Sequence, residues 1–267
     1  MTLFSKFPSY QKLQRLKLHL IDLTLPGALT PERLKKMAIQ GVGFQLLYGT
    51  ERVTQDVLDE LFHLSKEAHA LEKMRAMQSG EVINCIEGYP SENRAVLHTA
   101  MRDQFDNCQT APPAKKAAEM ARLELEKLDR FLEKTHGKFT DLIQIGIGGS
   151  DLGPRALAIA LQPYYLPGRK VHFISNVDPD DANFVLSQVD LKKTLVVVVS
   201  KSGTTLETLT NEEFVRARLS KLGLDPKDHF VAVTGEGSPM DNPARYLASF
   251  YIWDFVGGRY SATSMVG

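Results

Sequence analysis

Apolar and polar positions follow two different periods along the chain, and the change falls near residue 139. Before it the spacing is helical. Val53, Val57, Leu58, Leu61, Leu64, Ala68 and Leu71 recur three and four apart and define one apolar face. Ala114, Ala117, Ala118, Ala121, Leu125, Leu128 and Leu132 define another. Thr110-Ala111-Pro112-Pro113 supplies its start signal and His136-Gly137 its stop. Thr30-Pro31-Glu32 opens a shorter helix, with Thr30 as its cap. The expectation is a helical N-terminal segment over 1–138, its faces packed on each other or on the remainder of the chain.

From 139 onward, short apolar runs alternate with helical stretches. Strands are expected over 142–147, 170–175, 194–199 and 230–234, and helices over 153–162, 179–188 and 204–222. The run Val196-Val197-Val198-Val199 reads as a strand buried on both faces. Such alternation implies parallel pairing through right-handed crossovers, hence a three-layer α/β/α domain over 139–267. Ligands of open parallel sheets bind beyond the carboxyl ends of the strands, near a switch in strand order. That rule selects the residues after Ile147 and after Val199.

The chain has 267 residues, with 32 Lys+Arg against 32 Asp+Glu. A neutral balance supplies no long-range attraction to nucleic acid or to an anionic membrane. No apolar run is long enough to span a bilayer, and Met1-Thr2-Leu3-Phe4-Ser5-Lys6 lacks a signal-peptide pattern. Cys85 and Cys108 show no metal-ligand spacing and fit reduced thiols of a cytoplasmic protein. The seven histidines form no zinc array, and His63 and His69 read as helix-surface residues. No metal is expected.

Three loops carry candidate chemistry. After the first strand comes Gly146-Ile147-Gly148-Gly149-Ser150-Asp151-Leu152-Gly153-Pro154. A dinucleotide fingerprint competes for this loop, but its sixth position is Asp151, a carboxylate where pyrophosphate must approach. In favour of a nucleotide, Asp178 lies where a ribose-binding acid would stand; the plainer alternative makes Asp151 a helix cap. After the third strand comes Ser200-Lys201-Ser202-Gly203-Thr204-Thr205, with Glu207 on the helix that follows. Four hydroxyls, a lysine, a glycine and a helix start compose an anion cradle, whereas a helix cap needs only one hydroxyl. At the far end lies Val256-Gly257-Gly258-Arg259-Tyr260-Ser261-Ala262-Thr263-Ser264-Met265-Val266-Gly267, in which Arg259 can serve as a fixed cation facing an oxyanion. A structural Arg paired with a core carboxylate is the alternative there.

These motifs, in this order, resemble the glucose-6-phosphate isomerase family, and Glu92-Asn93-Arg94-Ala95-Val96-Leu97-His98-Thr99-Ala100-Met101-Arg102 is similar to a further family stretch. The resemblance implies a sugar-isomerase (SIS-type) domain. It also implies interconversion of glucose 6-phosphate and fructose 6-phosphate through a cis-enediolate, a step of glycolysis and gluconeogenesis that uses no cofactor. By the resemblance, Ser200, Lys201, Ser202, Gly203, Thr204 and Thr205 hold the phosphate. Gly149 and Ser150 line the sugar site, Arg259 stabilises the enediolate, and Glu207 supports ring opening. Gly203 stands where animal members carry an aromatic residue. Full-length members are homodimers. The family's catalytic glutamate, ring-opening histidine and late lysine lie beyond the Gly-Gly-Arg motif, so the chain reads as an N-terminal fragment, inactive by itself, that lacks the second sugar-isomerase domain. Two other classes stay open at this level: a non-catalytic sugar-phosphate regulator and a nicotinamide-dependent oxidoreductase.

Overall fold

The computed structural model describes residues 3–86, 88–106, 108 and 110–267. The chain falls into two compact units, Met1–Arg75 and Ala76–Gly267. The first contains helices α1 (Pro8–Leu16), α2 (Pro31–Lys36) and α3 (Gln55–Glu67), with a hairpin of β1 (Ala38–Gly41) and β2 (Phe44–Leu47). Helix α4 (Ala70–Ser79) follows. Thr30 caps α2 by accepting the Arg33 N–H at 3.1 Å, as its sequence position suggests. Thr54 does the same for α3 through Val57 N–H. Helices α1 and α3 are joined by Lys12 Nζ–Glu60 Oε1 at 2.5 Å and by Ser9 N–H donating to Glu67. His63 is exposed on α3 and His69 is exposed just after it. The hairpin was not expected. Its turn places Val42 at φ 51°, a conformation that β-branched residues avoid, so the usual Asn-Gly turn signal is missing.

The second unit holds α5 (Pro112–Thr135), β3 (Asp141–Ile145), α6 (Leu152–Leu161), β4 (Lys170–Ile174), α7 (Pro179–Ser187), β5 (Thr194–Ser200), α8 (Leu206–Lys221), β6 (Phe230–Thr234) and β7 (Ala248–Tyr251). The strands form one parallel sheet in the order β4-β3-β5-β6-β7. The α/β class and the parallel sheet expected from the sequence are thus observed. The strand at 142–147 ends at Ile145, because Gly146 and Ile147 lead into a tight turn over Gly148–Ser150.

Side-chain alternation along the strands builds two cores, one on each face. Val199, Val231, Val233 and Phe250 meet Ala114, Ala117 and Ala121 of α5. Val196, Val198, Phe230 and Ala232 meet Val215 and Leu219 of α8 and Ala182 and Val185 of α7. The alanine stripe lets α5 lie close to the sheet. Helix α5, from the segment whose periodicity is helical, therefore shares a core with the strands. Edge strand β7, also unexpected, has its Tyr251 N–H taken by Glu124 Oε1 of α5 at 2.9 Å, which closes one of the free donors of a sheet edge.

Strand order fixes where a ligand belongs. The chain leaves β3 for β4 on one side and returns as β5 on the other. The loops after β3 and β5 thus diverge from neighbouring strands, which is the switch point of an open α/β sheet.

Candidate active site

Strand β5 ends at buried Ser200, whose Oγ lies 2.9 Å from Thr205 Oγ1. Ser202 Oγ accepts the Thr204 N–H at 3.2 Å and the Thr204 hydroxyl at 2.9 Å. Two hydroxyl pairs thus hold the loop in shape. Thr205 stands at the cap of α8, yet its side chain accepts no bond from the first-turn N–H groups. The start of α8 is therefore not closed by its own cap, a geometry suited to an anion. Gly203 has φ +67°, and a Cβ there would fall 2.8 Å from Ser238 Oγ and 3.1 Å from Met240 N, so the turn requires glycine.

Lys201 is turned toward the C-terminal motif, its Nζ donating to Val256 O at 3.2 Å. Burial, and then the nearby Arg94 guanidinium, pull its ammonium below the ordinary lysine pKa, while Asp254 and Glu92 oppose that shift. Glu207 is exposed in the first turn of α8.

The loop after β3 meets the C-terminal motif backbone to backbone. Ser261 Oγ donates to Gly149 O at 2.8 Å, and a Cβ on Gly149 would lie 2.5–2.7 Å from Gly258 main-chain atoms. Gln144 Nε2 donates to Ser150 O at 2.9 Å and fixes the other side of the turn. Asp151 does not cap α6 through its carboxylate, which instead takes a forked contact from Arg155 at 2.7 and 3.0 Å. Asp178 caps α7 by accepting from Asp180 and Asp181 N–H. Its Oδ1 thus serves as a helix cap, a structural role that gives the dinucleotide alternative no support.

The Arg259 side chain is exposed and has no hydrogen bond or ion pair to another described residue. It lines a cavity of about 240 Å³ together with Glu92, Arg94, Val96, Phe255, Gly257, Gly258 and Tyr260. The alternative of a structural Arg paired with a core carboxylate is not what the fold builds. Arg94, ion-paired to Glu92 at 2.5 Å, had no role in the sequence reading. Its segment resembled the family, but only the fold shows that it forms a wall of the Arg259 cavity.

A hydroxyl-rich loop at the switch point of a parallel α/β sheet, linked to a turn whose Arg259 guanidinium has no partner among the described residues, defines the class of this protein. The chain belongs to the phosphoglucose isomerase family, whose profile matches residues 47–267. Glucose-6-phosphate isomerase of Protochlamydia amoebophila is 58% identical to it, over 99% of this chain and 49% of that protein. The Chlamydia pneumoniae enzyme of the same name is 50% identical, over 96% and 48%. The crystal structure of a glucose-6-phosphate isomerase from Chlamydia trachomatis superposes with TM-score 0.93 at 46% identity, covering 100% of this chain and 52% of that one. The chain spans about half the length of the curated relatives it matches.

Proposed function

We propose that this chain supplies the phosphate grip and the enediolate-stabilising cation of an aldose–ketose isomerase acting on glucose 6-phosphate and fructose 6-phosphate. One observation carries the reading. The hydroxyl loop Ser200–Thr205 has an open helix start, and Lys201 links it to the turn that presents unpaired Arg259. In this reading the Ser200, Ser202 and Thr205 hydroxyls and the main chain at Lys201 donate to the phosphate, on a turn that Gly203 and Thr204 hold in shape through their bonds to Ser200 and Ser202. Gly149 and Ser150 border the sugar. With the ring open, a base takes the C2 proton, the electron pair forms the C1–C2 double bond, and O1 becomes negative opposite Arg259. The proton returns to C1 as the C1–C2 double bond shifts back, while the C2 hydroxyl proton passes to O1, giving the ketose with its carbonyl at C2 and a hydroxyl at C1. Glu207, beside the phosphate loop, serves ring opening rather than proton abstraction at C2. The family's base lies beyond the Gly-Gly-Arg motif, so the 267-residue chain assayed alone is expected to bind substrate without turnover. Resemblance to the family carries the remaining expectations, a cytoplasmic setting and a homodimer in the full-length form. Among the described residues no helix is long and apolar enough to cross a membrane.

Trp253, the one tryptophan of the chain, stacks on Phe255, which lines the Arg259 cavity. Titration with fructose 6-phosphate should therefore change its fluorescence saturably, and fructose should not. Thr205→Val is expected to raise the Kd roughly ten- to hundred-fold, the worth of a hydrogen bond to a charged group. A response to fructose equal to that of its phosphate would refute the assignment.

The Lys201 shift predicts a sign for pH dependence. Above its depressed pKa the free amine is neutral, and a bound dianion favours the charged form. Binding in alkaline buffer should take up a proton, and affinity should fall as pH rises toward the ordinary lysine value. Calorimetry in buffers of different ionisation enthalpy measures the uptake; zero uptake with flat affinity would rule Lys201 out as a contributor.

A further inference from the structure

The segment at 97–102 holds the Arg259 turn at both ends. Leu97 N–H donates to Phe255 O at 3.1 Å, just before the glycine pair. Arg102 Nη2 donates to Tyr260 O at 2.9 Å, just after Arg259. The His98 ring lies flat on the Tyr260 ring, with centroids 4.1 Å apart and planes within 7°. His98 is 8% exposed, and its Nδ1 has no partner among the described residues, so its contribution is the stacked face. Burial, then the charge of Arg102, holds the imidazole below its ordinary pKa and keeps the stacked ring neutral. Between these two anchors the Arg259 side chain has no partner among the described residues.

We propose that His98 and Arg102 are positioning residues: by clamping Tyr260 they aim the Arg259 guanidinium at the oxygen that becomes negative during isomerisation. The inference rests on the functional reading above. A long cationic side chain on a two-glycine turn has many accessible directions, and each lost degree of freedom costs affinity unless the turn is fixed beforehand. A hydrogen bond to the Tyr260 carbonyl and a stack on its ring fix the residue next to Arg259 without spending the Arg259 donors.

The test compares two ligands that share the phosphate and differ at C1. 6-Phosphogluconate carries a carboxylate there, and glucitol 6-phosphate a neutral hydroxyl. Arg102→Ala is expected to weaken 6-phosphogluconate about tenfold, as befits a partly lost charge-assisted contact, and to leave glucitol 6-phosphate within about twofold. In an Arg259→Ala background it should have no further effect, since the group it aims is gone. Arg102→Lys, which keeps the charge and can still reach the carbonyl, should restore much of the loss. It also serves if the alanine variant folds poorly. His98→Phe should keep the stack and the preference for 6-phosphogluconate, while His98→Ala should lose that preference. Equal weakening of both ligands, or losses that add to that of Arg259→Ala, would overturn the clamp while leaving the phosphate site in place. Failure of the unaltered chain to bind either ligand would overturn the site reading and this inference together.

Discussion

Replacing Gly149 with alanine is expected to unfold the sheet unit more easily and to abolish tight sugar-phosphate binding. The added Cβ would lie 2.5 Å from Gly258 O, 2.6 Å from its Cα and 2.7 Å from its carbonyl carbon. These are main-chain atoms of a turn already held by Ser261 and Tyr260, so no side chain can swing aside. Overpacking of this kind costs about 3 kcal/mol, which lowers Tm by roughly 6–12 °C in a unit of this size. Any relaxation that relieves the clash pushes the Arg259 turn away from the β3 loop, and a displacement near 1 Å costs about a hundredfold in a positioned site. The reciprocal change is the control. A Cβ on Gly258 would find Gly149 Cα at 3.7 Å, an ordinary contact, so Gly258→Ala should be tolerated. Calorimetric unfolding and the Trp253 titration measure both variants; equal effects from the two would contradict the packing argument.

Glu212→Ala is the second large expected loss, and it acts on stability alone. Glu212 is fully buried on α8. Its carboxylate accepts Arg216 Nε at 2.7 Å, Arg245 Nη2 at 3.3 Å and the Tyr246 hydroxyl at 2.7 and 2.8 Å. Burial, then the Glu212 charge, pushes the Tyr246 phenol up, so it remains a donor. Truncation leaves Arg216 desolvated without its counter-charge, which costs about 3–5 kcal/mol, whereas an exposed pair costs less than about 1 kcal/mol. Urea unfolding should show a lowered midpoint at unchanged slope, with Glu212→Gln between the two because its amide oxygen still accepts. A loss near the surface-pair value would mean that water reaches Arg216 in the native state.

The core strands were legible because burial on both faces leaves unbroken apolar runs such as 195–199, and no helical period competes there. Strand β7 has four residues and one well-buried side chain, Phe250, which is too little pattern to separate from a loop. The β1–β2 hairpin was hidden by its turn chemistry. Helix α5 was read correctly as a helix whose face packs on something, but not on what, since an alanine stripe states only that a neighbour lies close. The hydroxyl loop and the Gly-Gly-Arg turn were visible as composition, because hydroxyls and glycines cluster in tight turns that bring backbones close together. That Arg94 lines a cavity with Arg259, and that His98 and Arg102 hold Tyr260 beside it, could not be read in one dimension, as their partners are remote in sequence.

That remoteness has a consequence for how the protein matures. Ser261 and Gly149, whose hydrogen bond joins the C-terminal motif to the β3 loop, stand 112 positions apart, and every sheet strand after β3 lies between them. Closing so long a loop is among the slowest and last events of folding. A ligand held across both loops would therefore report that the parallel sheet is fully assembled, and a chain cut between β3 and β7 is expected to keep every recognisable motif yet lose that site until its pieces reassociate.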